Sequence, residues 1–228
     1  MTAAKTDSEM FNAVIFDWDG TLADSRQIIV ASFQKALRSV HCKIHDEFIE
    51  RLIGVGSAET FREILRACKT SFNEVLIKNL VEEKIQNEIE MSARLKLLPG
   101  ALELLKELQG KVKLGLASMN DRVTINNLLK TTGTQKFFDV AVTAGDIIKP
   151  KPDPEIFLKC ALQLGSVPGK CVVVEDSIFG VEAAKTAKMG CIAVLTGVYF
   201  REELEKVKSD LIVDSLEEKN QILNLIFR

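Results

Sequence analysis

No charge of either sign dominates this sequence. Its 30 basic and 32 acidic side chains leave a formal net charge of −2, which gives no electrostatic case for a nucleic-acid partner. No apolar run is long enough to cross a bilayer, and the opening residues, MTAAKTDSEM, carry no apolar signal core. Both absences lead to the expectation of a cytoplasmic protein with no membrane partner. Cysteine is sparse: Cys42, Cys68, Cys160, Cys171 and Cys191 are odd in number and form no C-x-x-C pair. The expectation is buried free thiols rather than disulfides or a zinc site. Internal repeats and low-complexity tracts are absent too. The 2 histidines, His41 and His45, fall in a polar stretch and receive no role.

What remains is an ordinary globular composition. The chain has 228 residues, 46% hydrophobic and 27% charged, enough for one mid-sized domain with a sizeable insertion. Short apolar runs recur along it: AVIF (13–16), VKLGLA (112–117), FFDVAVT (137–143), CVVVE (171–175), CIAVL (191–195) and LIVD (211–214). Each is bounded by turn or polar residues, which is how strands buried on both faces of a parallel sheet read. Helical patterns separate most of them, as in ALELLKELQG, DPEIFLKCALQLG and SIFGVEAAKTAKMG. That alternation predicts an α/β, Rossmann-like doubly wound sheet.

The alternation breaks once. From Ser25 to Leu97 the patterns are helical, with candidates in ADSRQIIVASFQKALRSV, SAETFREILRAC and FNEVLIKNLVEEKIQNEIEMSARL. This reads as an inserted helical domain, 24–98, within a core of 1–23 and 99–228. The charged stretches EEKIQNEIE and REELEKVK read as solvated helix faces. The terminal EEKNQILNLIFR reads as an amphipathic helix on the core.

The chemistry concentrates at strand ends. FDWDGTLADS places Asp17 and Asp19 directly after the first run. In an extended chain, residues two apart face one side, so both carboxylates point together and Trp18 points away. A hard divalent cation such as Mg²⁺ would relieve their repulsion. Gly20 permits a tight turn whose N–H groups can face an anion. Taken alone, D-x-D-G-T is also compatible with a polar turn. Three later segments change the balance: LGLASMN with Ser118, KPDPEIF with Lys151, and VVVEDSIFG with Glu175 and Asp176.

Together and in this order, these segments resemble the haloacid dehalogenase superfamily of phosphatases. The resemblance covers essentially the whole chain. Asp17-Trp18-Asp19-Gly20-Thr21 matches the first motif and Ser118 the second. Lys151-Pro152-Asp153-Pro154-Glu155-Ile156-Phe157 matches the third, which selects Lys151 over Lys149. Glu175-Asp176 matches the fourth. One departure is Ala187-Lys188-Met189, where the family often has Ala-Gly-Met.

The resemblance implies that Asp17 attacks phosphorus and forms an aspartyl-phosphate. It implies that Asp19 protonates the leaving oxygen and later takes a proton from water. The sequence leaves open whether burial and neighbouring carboxylates, or Mg²⁺ and Lys151, decide the protonation of Asp19. Lys151 would neutralise the nucleophile and the phosphoryl group. Gly20, Thr21, Ser118, Met119, Asn120 and Lys151 would bind the phosphate. Mg²⁺ would take Asp17, the Asp19 carbonyl and Asp176, with Glu175 acting through water.

The position of the insertion resembles the branch that includes phosphoglycolate phosphatase and β-phosphoglucomutase. There the helical insert is a cap over a small phosphate ester, in a monomer or homodimer. LIGVGSAET (52–60) is a candidate specificity loop and equally a helix–helix connection ending in an N-cap. The mutase branch carries a histidine and a basic residue in its cap. By alignment those positions are Ile29 and Ser57 here, which favours a phosphatase. Asp19 argues against dehalogenases and phosphonatases, which lack the second acid.

Overall fold

A computed structural model of the chain describes residues 10–228; the reading of the N-terminal segment as free of a signal core lies outside them apart from Met10. Six parallel strands form one sheet: β1 (Ala13–Phe16), β2 (Lys113–Ser118), β3 (Val140–Thr143), β4 (Cys171–Glu175), β5 (Gly190–Val194) and β6 (Leu211–Val213). Their order is β3-β2-β1-β4-β5-β6, so the direction of winding reverses between β1 and β4. Such a reversal opens a crevice at the carboxyl ends of the two strands. All six strands coincide with the apolar runs of the sequence to within a few residues.

The helices follow in chain order: α1 (Arg26–Leu37), α2 (Asp46–Glu50), α3 (Ser57–Ala67), α4 (Glu74–Met91), α5 (Ala101–Leu108), α6 (Arg122–Thr132), α7 (Glu155–Gln163), α8 (Ile178–Thr186), α9 (Arg201–Lys206) and α10 (Lys219–Ile226). Alternation along β1 sends Val14 and Phe16 to one face and Ala13 and Ile15 to the other. The first face packs on α5, α6 and α10 through Leu104, Leu105, Ile125, Leu128, Ile222 and Ile226. The second packs on α7, α8 and α9 through Ile156, Phe157, Val181 and Leu204.

Helices α1 to α4 have a core of their own, built on Phe33, Leu37, Ile49, Phe61, Ile64 and Leu80. The Phe33 and Phe61 rings lie 4.7 Å apart. The two chain crossings into this helical segment run side by side: Ala23 and Leu97 form an antiparallel bridge, Asp24 N–H donates to Lys96 O, and Leu98 N–H donates to Leu22 O.

Two expectations need correction. Cys42 and Cys68 form a disulfide, whereas Cys160, Cys171 and Cys191 are free and buried. Cys42 follows the first cap helix and Cys68 ends α3; folding brings their Cα atoms to 6.1 Å, inside the disulfide range. Packing, not spacing, makes that pair. Second, EEKIQNEIE is a solvated face only in part: Glu82, Gln86 and Glu90 are exposed, whereas Lys84, Asn87 and Glu88 on α4 are buried. RVTINNLLKTTG, on which the sequence reading is silent, forms α6, a helix that Thr and Asn hide from a propensity reading. Asp121 accepts from Val123 and Thr124 N–H at its start and Gly133 closes it at φ 67°.

The departure at Lys188 has a local consequence. Lys188 is exposed and follows α8 with φ 60°, a left-handed conformation costly for a residue with a Cβ and free for glycine. Lys188→Gly should therefore stabilise the protein by about 0.5–1 kcal/mol, once glycine's larger loss of backbone freedom is set against the relieved strain. Urea unfolding measures it; an unchanged or lower midpoint would contradict the strain.

Candidate active site

Register brings the chemistry to one edge. Phe16 pairs with Leu116 on one side and Val174 on the other, so Asp17, Ala117 and Glu175 stand level at the crevice. Asp17 N–H donates to Val174 O at 3.0 Å, which continues the pairing one residue past β1. Lys151 arrives from the loop before α7. Its ammonium donates to Asp17 Oδ1 at 2.6 Å, Glu175 Oε1 at 2.7 Å and Ala117 O at 3.4 Å. All three of its N–H donors are thus directed to acceptors. Lys149 is exposed instead, 3.8 Å from Asp153.

Glu175 is engaged on both oxygens. Oε2 accepts from the N–H of Asp176 and Ser177 and from Ser177 Oγ, each at 2.9 Å. This differs from the expectation of a carboxylate turned to metal-bound water; here Glu175 holds Lys151 and shapes its own turn. A Cβ on Gly180 would stand 1.9 Å from the Glu175 carboxyl, so only glycine fits there. Asp176 is wedged similarly. Thr21 Oγ1 donates to its Oδ1 at 3.1 Å, and a Cβ at Gly20 or Gly197 would lie 2.4 or 2.0 Å from Oδ2. Gly20 makes the turn at φ 76°, but its N–H donates to Ala23 O rather than standing open for an anion.

Asp19 has separate partners. Ser25 Oγ donates to Oδ1 and Asn120 Nδ2 to Oδ2, both at 2.7 Å. Asn120 Oδ1 in turn accepts from Lys84 of α4 at 3.3 Å, and Ser118 Oγ accepts the Asn120 N–H at 3.2 Å. A small cavity of ≈ 30 Å³ lies beside Asp19, Asn120, Met119 and Lys84, bordered by the 52–57 turn. Gly56 comes so near that a Cβ would stand 2.9 Å from Met119 Cε. The 52–60 segment therefore lies on the site while also leading into α3. A larger cleft of ≈ 630 Å³ between Ile28, Met91 and Arg94 opens at the cap crossing, away from these groups.

The electrostatics follow from burial. Desolvation is the largest influence on Asp17 and pushes it up to about 8; Lys151 pulls against it, while Glu175 and Asp19 push with it. Burial also raises Asp19, against Ser25, Lys84, Lys151 and Asn120. Burial, then Glu175 and Asp17, holds Asp176 well above the usual carboxylate range. Burial by itself would lower Lys151, but Asp17 and Glu175 outweigh it and keep the amine firmly protonated.

Four buried carboxyl groups thus crowd around one ammonium. Among the described residues no three Asp, Glu, His or Cys side chains converge as a metal cage. Asp17 and Asp176, with a backbone carbonyl, would offer the smaller donor set that suits Mg²⁺, which keeps several waters. A divalent cation would also offset the excess negative charge.

The model of the haloacid dehalogenase-like hydrolase family matches residues 14–194. The chain belongs to this family. A phosphorylated carbohydrates phosphatase of Thermotoga maritima is 34% identical over 77% of this chain and 81% of its own. A hydrolase from Pseudomonas syringae superposes with a TM-score of 0.87 at 28% identity, over 95% of this chain and all of that one. A β-phosphoglucomutase from Clostridium difficile does so with 0.84 at 30% identity, over 94% and 96%. The chain is a haloacid dehalogenase-like phosphoric monoester hydrolase. Among its described residues no helix is long and apolar enough to cross a membrane.

Beyond the expected residues, this family member brings Ser25 and Lys84 to the site, with Glu88 behind Lys84, along with a clasp between the α1–α4 segment and the sheet. Arg26 donates to Gly197 O at 3.0 Å, Arg51 pairs with Glu203 at 2.5 Å, and Tyr199 OH donates to Arg51 O at 2.7 Å. The Arg51 guanidinium stacks 4.2 Å from the Tyr199 ring centroid. One signal for Lys84 was present in the sequence. Ile77, Leu80, Lys84 and Asn87–Glu88 share one helical stripe, so the polar residues continue an apolar face.

Gly197 ties this clasp to Asp176. Gly197→Ala should displace the Asp176 carboxyl and lower kcat/KM by about 10²-fold, as expected for a misplacement near 1 Å. Circular dichroism should be unchanged. Activity within a few-fold of the parent would show that the turn yields without moving Asp176.

Proposed function

We propose that the protein is an Mg²⁺-dependent phosphatase that hydrolyses a small phosphorylated metabolite, of the sugar-phosphate or phosphoglycolate type, through an aspartyl-phosphate on Asp17. The observation that carries this reading is the buried Asp17 carboxylate held by Lys151 at 2.6 Å, with Asp19 beside it on its own set of partners. Asp17 attacks phosphorus. Lys151 keeps Asp17 oriented and offsets the charge that builds on the phosphoryl oxygens. Thr21, Ser118, Met119 and Asn120 form the phosphate pocket, with Gly20 shaping the turn beneath it.

Asp19 gives its proton to the leaving oxygen and later takes one from the hydrolytic water. Burial raises its proton affinity, which supports the acid role. Asp17, the Asp19 carbonyl and Asp176 would hold the metal, whose positive charge would offset the repulsion between nucleophile and phosphate. Residues 24–98 act as a cap on a core of 1–23 and 99–228. They exclude bulk water while Arg51 and Arg26 hold the cap down.

A phosphosugar mutase is the second reading, favoured by the likeness to the β-phosphoglucomutase structure. Ile29 and Ser57 count against it: neither titrates, and both line the small cavity. A mutase yields isomerised sugar phosphate where a phosphatase yields free phosphate.

Phosphate release from hexose phosphates and phosphoglycolate should require Mg²⁺, stop with EDTA and fall to background in Asp17→Asn. Asp19→Asn should lose about 10²–10⁴-fold in kcat. Release that survives Asp17→Asn would remove the covalent step.

The metal has a readout independent of turnover. Asp17 lies at about 8 in the fold against 3.8 ordinarily. In metal-free protein its stabilising contribution is complete below about pH 4 and is lost as pH rises through about 8. Mg²⁺ should raise Tm, and by more at pH 8 than at pH 6, where a proton must first leave. Asp17→Asn should shrink that difference, leaving the part due to Asp176, which burial also raises. An equal Mg²⁺ shift at both pH values would argue against Asp17 as a ligand.

A further inference from the structure

The leaving group of any ester attacked by Asp17 must lie on the Asp19 side, against the cap. Lys84 is the cation there, lining the cavity beside Asp19. Its charge is answered within its own helix: Glu88, one turn on, forms an ion pair with it, and the two side chains are 2% and 1% exposed. Lys151, the other ammonium of the site, is already shared by Asp17 and Glu175. Among the described residues that line this cavity Lys84 is the one cation, so no unanswered positive charge is left there to meet a second anionic group on the substrate.

Glu88 also has a feature that a purely structural pair lacks. Its Oε1 is buried without a hydrogen-bond partner, an arrangement that costs stability. Buried ion pairs contribute little net stability even when complete. Glu88 does not itself line the cavity and acts there through Lys84, while the Lys84 ammonium and Ser57 are the groups that meet a substrate hydroxyl.

We propose that Glu88 is a specificity-determining residue, which makes the cap end of the site a net-neutral pocket for hydroxyl groups. The enzyme then selects phosphate monoesters of neutral polyhydroxylated alcohols, sugars or polyols. It rejects substrates with a second anion in the leaving group, such as phosphoglycolate, pyrophosphate or a bisphosphate. This rests on the phosphatase reading above and narrows it.

The test compares kcat/KM for hexose phosphates and glycerol phosphate with that for phosphoglycolate and pyrophosphate. Acetyl phosphate serves as a generic donor. The parent enzyme should favour the neutral leaving groups by at least about tenfold. Glu88→Gln, which keeps the shape but uncovers the Lys84 charge, should move that ratio at least about tenfold toward phosphoglycolate.

A parent that prefers phosphoglycolate or pyrophosphate overturns the proposal. So does a Glu88→Gln enzyme that loses both classes equally. Should Glu88→Gln fail to fold, the parent ranking decides alone. Absence of turnover even on acetyl phosphate would sink the phosphatase reading separately. The proposal would then be judged by calorimetry on Asp17→Asn with Mg²⁺: tighter binding of hexose phosphate than of phosphoglycolate upholds it, and the reverse overturns it.

Discussion

The buried ammonium of Lys151 is the contact on which the arrangement of the core depends. It is reached by the ends of β1 and β4, through Asp17 and Glu175, and by the carbonyl of Ala117 in β2. Taking such a group out of water is costly unless each of its protons finds an acceptor. Here they all do, so the three strand ends are held at one level by a single charge. Glu175 could not approach without Gly180, nor Asp176 without Gly20 and Gly197. The small residues around the crevice are thus consequences of bringing several carboxylates to one cation.

The cap imposes a second constraint. Its α4 presents a stripe that begins apolar, with Ile77 and Leu80, and continues polar, with Lys84, Asn87 and Glu88. The apolar half builds the cap's own core. The polar half lies over the catalytic edge, where Lys84 reaches Asn120 and, through it, Asp19. A helix made to serve both ends needs the change of character along its length. The clasp formed by Arg26, Arg51 and Tyr199 fixes the remaining side of the cap close to Asp176.

What could be read in the sequence follows from the range of the forces involved. The strands were legible because each is a short run buried on both faces, and the catalytic acids because they directly follow those runs. Asp17, Asp19, Lys151 and Asp176 converge through sheet topology alone, which alternation of strand and helix already implies. α6 was not legible, since its buried Thr124, Ile125, Leu128 and Leu129 are embedded among residues of weak helical preference. The buried polar face of α4 and the Cys42–Cys68 pair were not legible either. Both are created by packing between elements, and the same residues in another tertiary setting would be solvated or free. Trp18 was legible in direction only: it is fully buried, yet its indole N–H has no partner.

The paired crossings at Ala23 and Leu97 have a consequence of a different kind. Because the chain leaves and re-enters the core as one hydrogen-bonded ribbon, the sheet needs only those two neighbouring points to be joined. The order and register of its strands are indifferent to what is carried between them. The sheet with its strand-end carboxylates and the helical segment carried between the crossings can therefore diverge as separable modules. Selection can rewrite the inserted segment, residue by residue or whole, while the inherited phosphoryl chemistry stays in place.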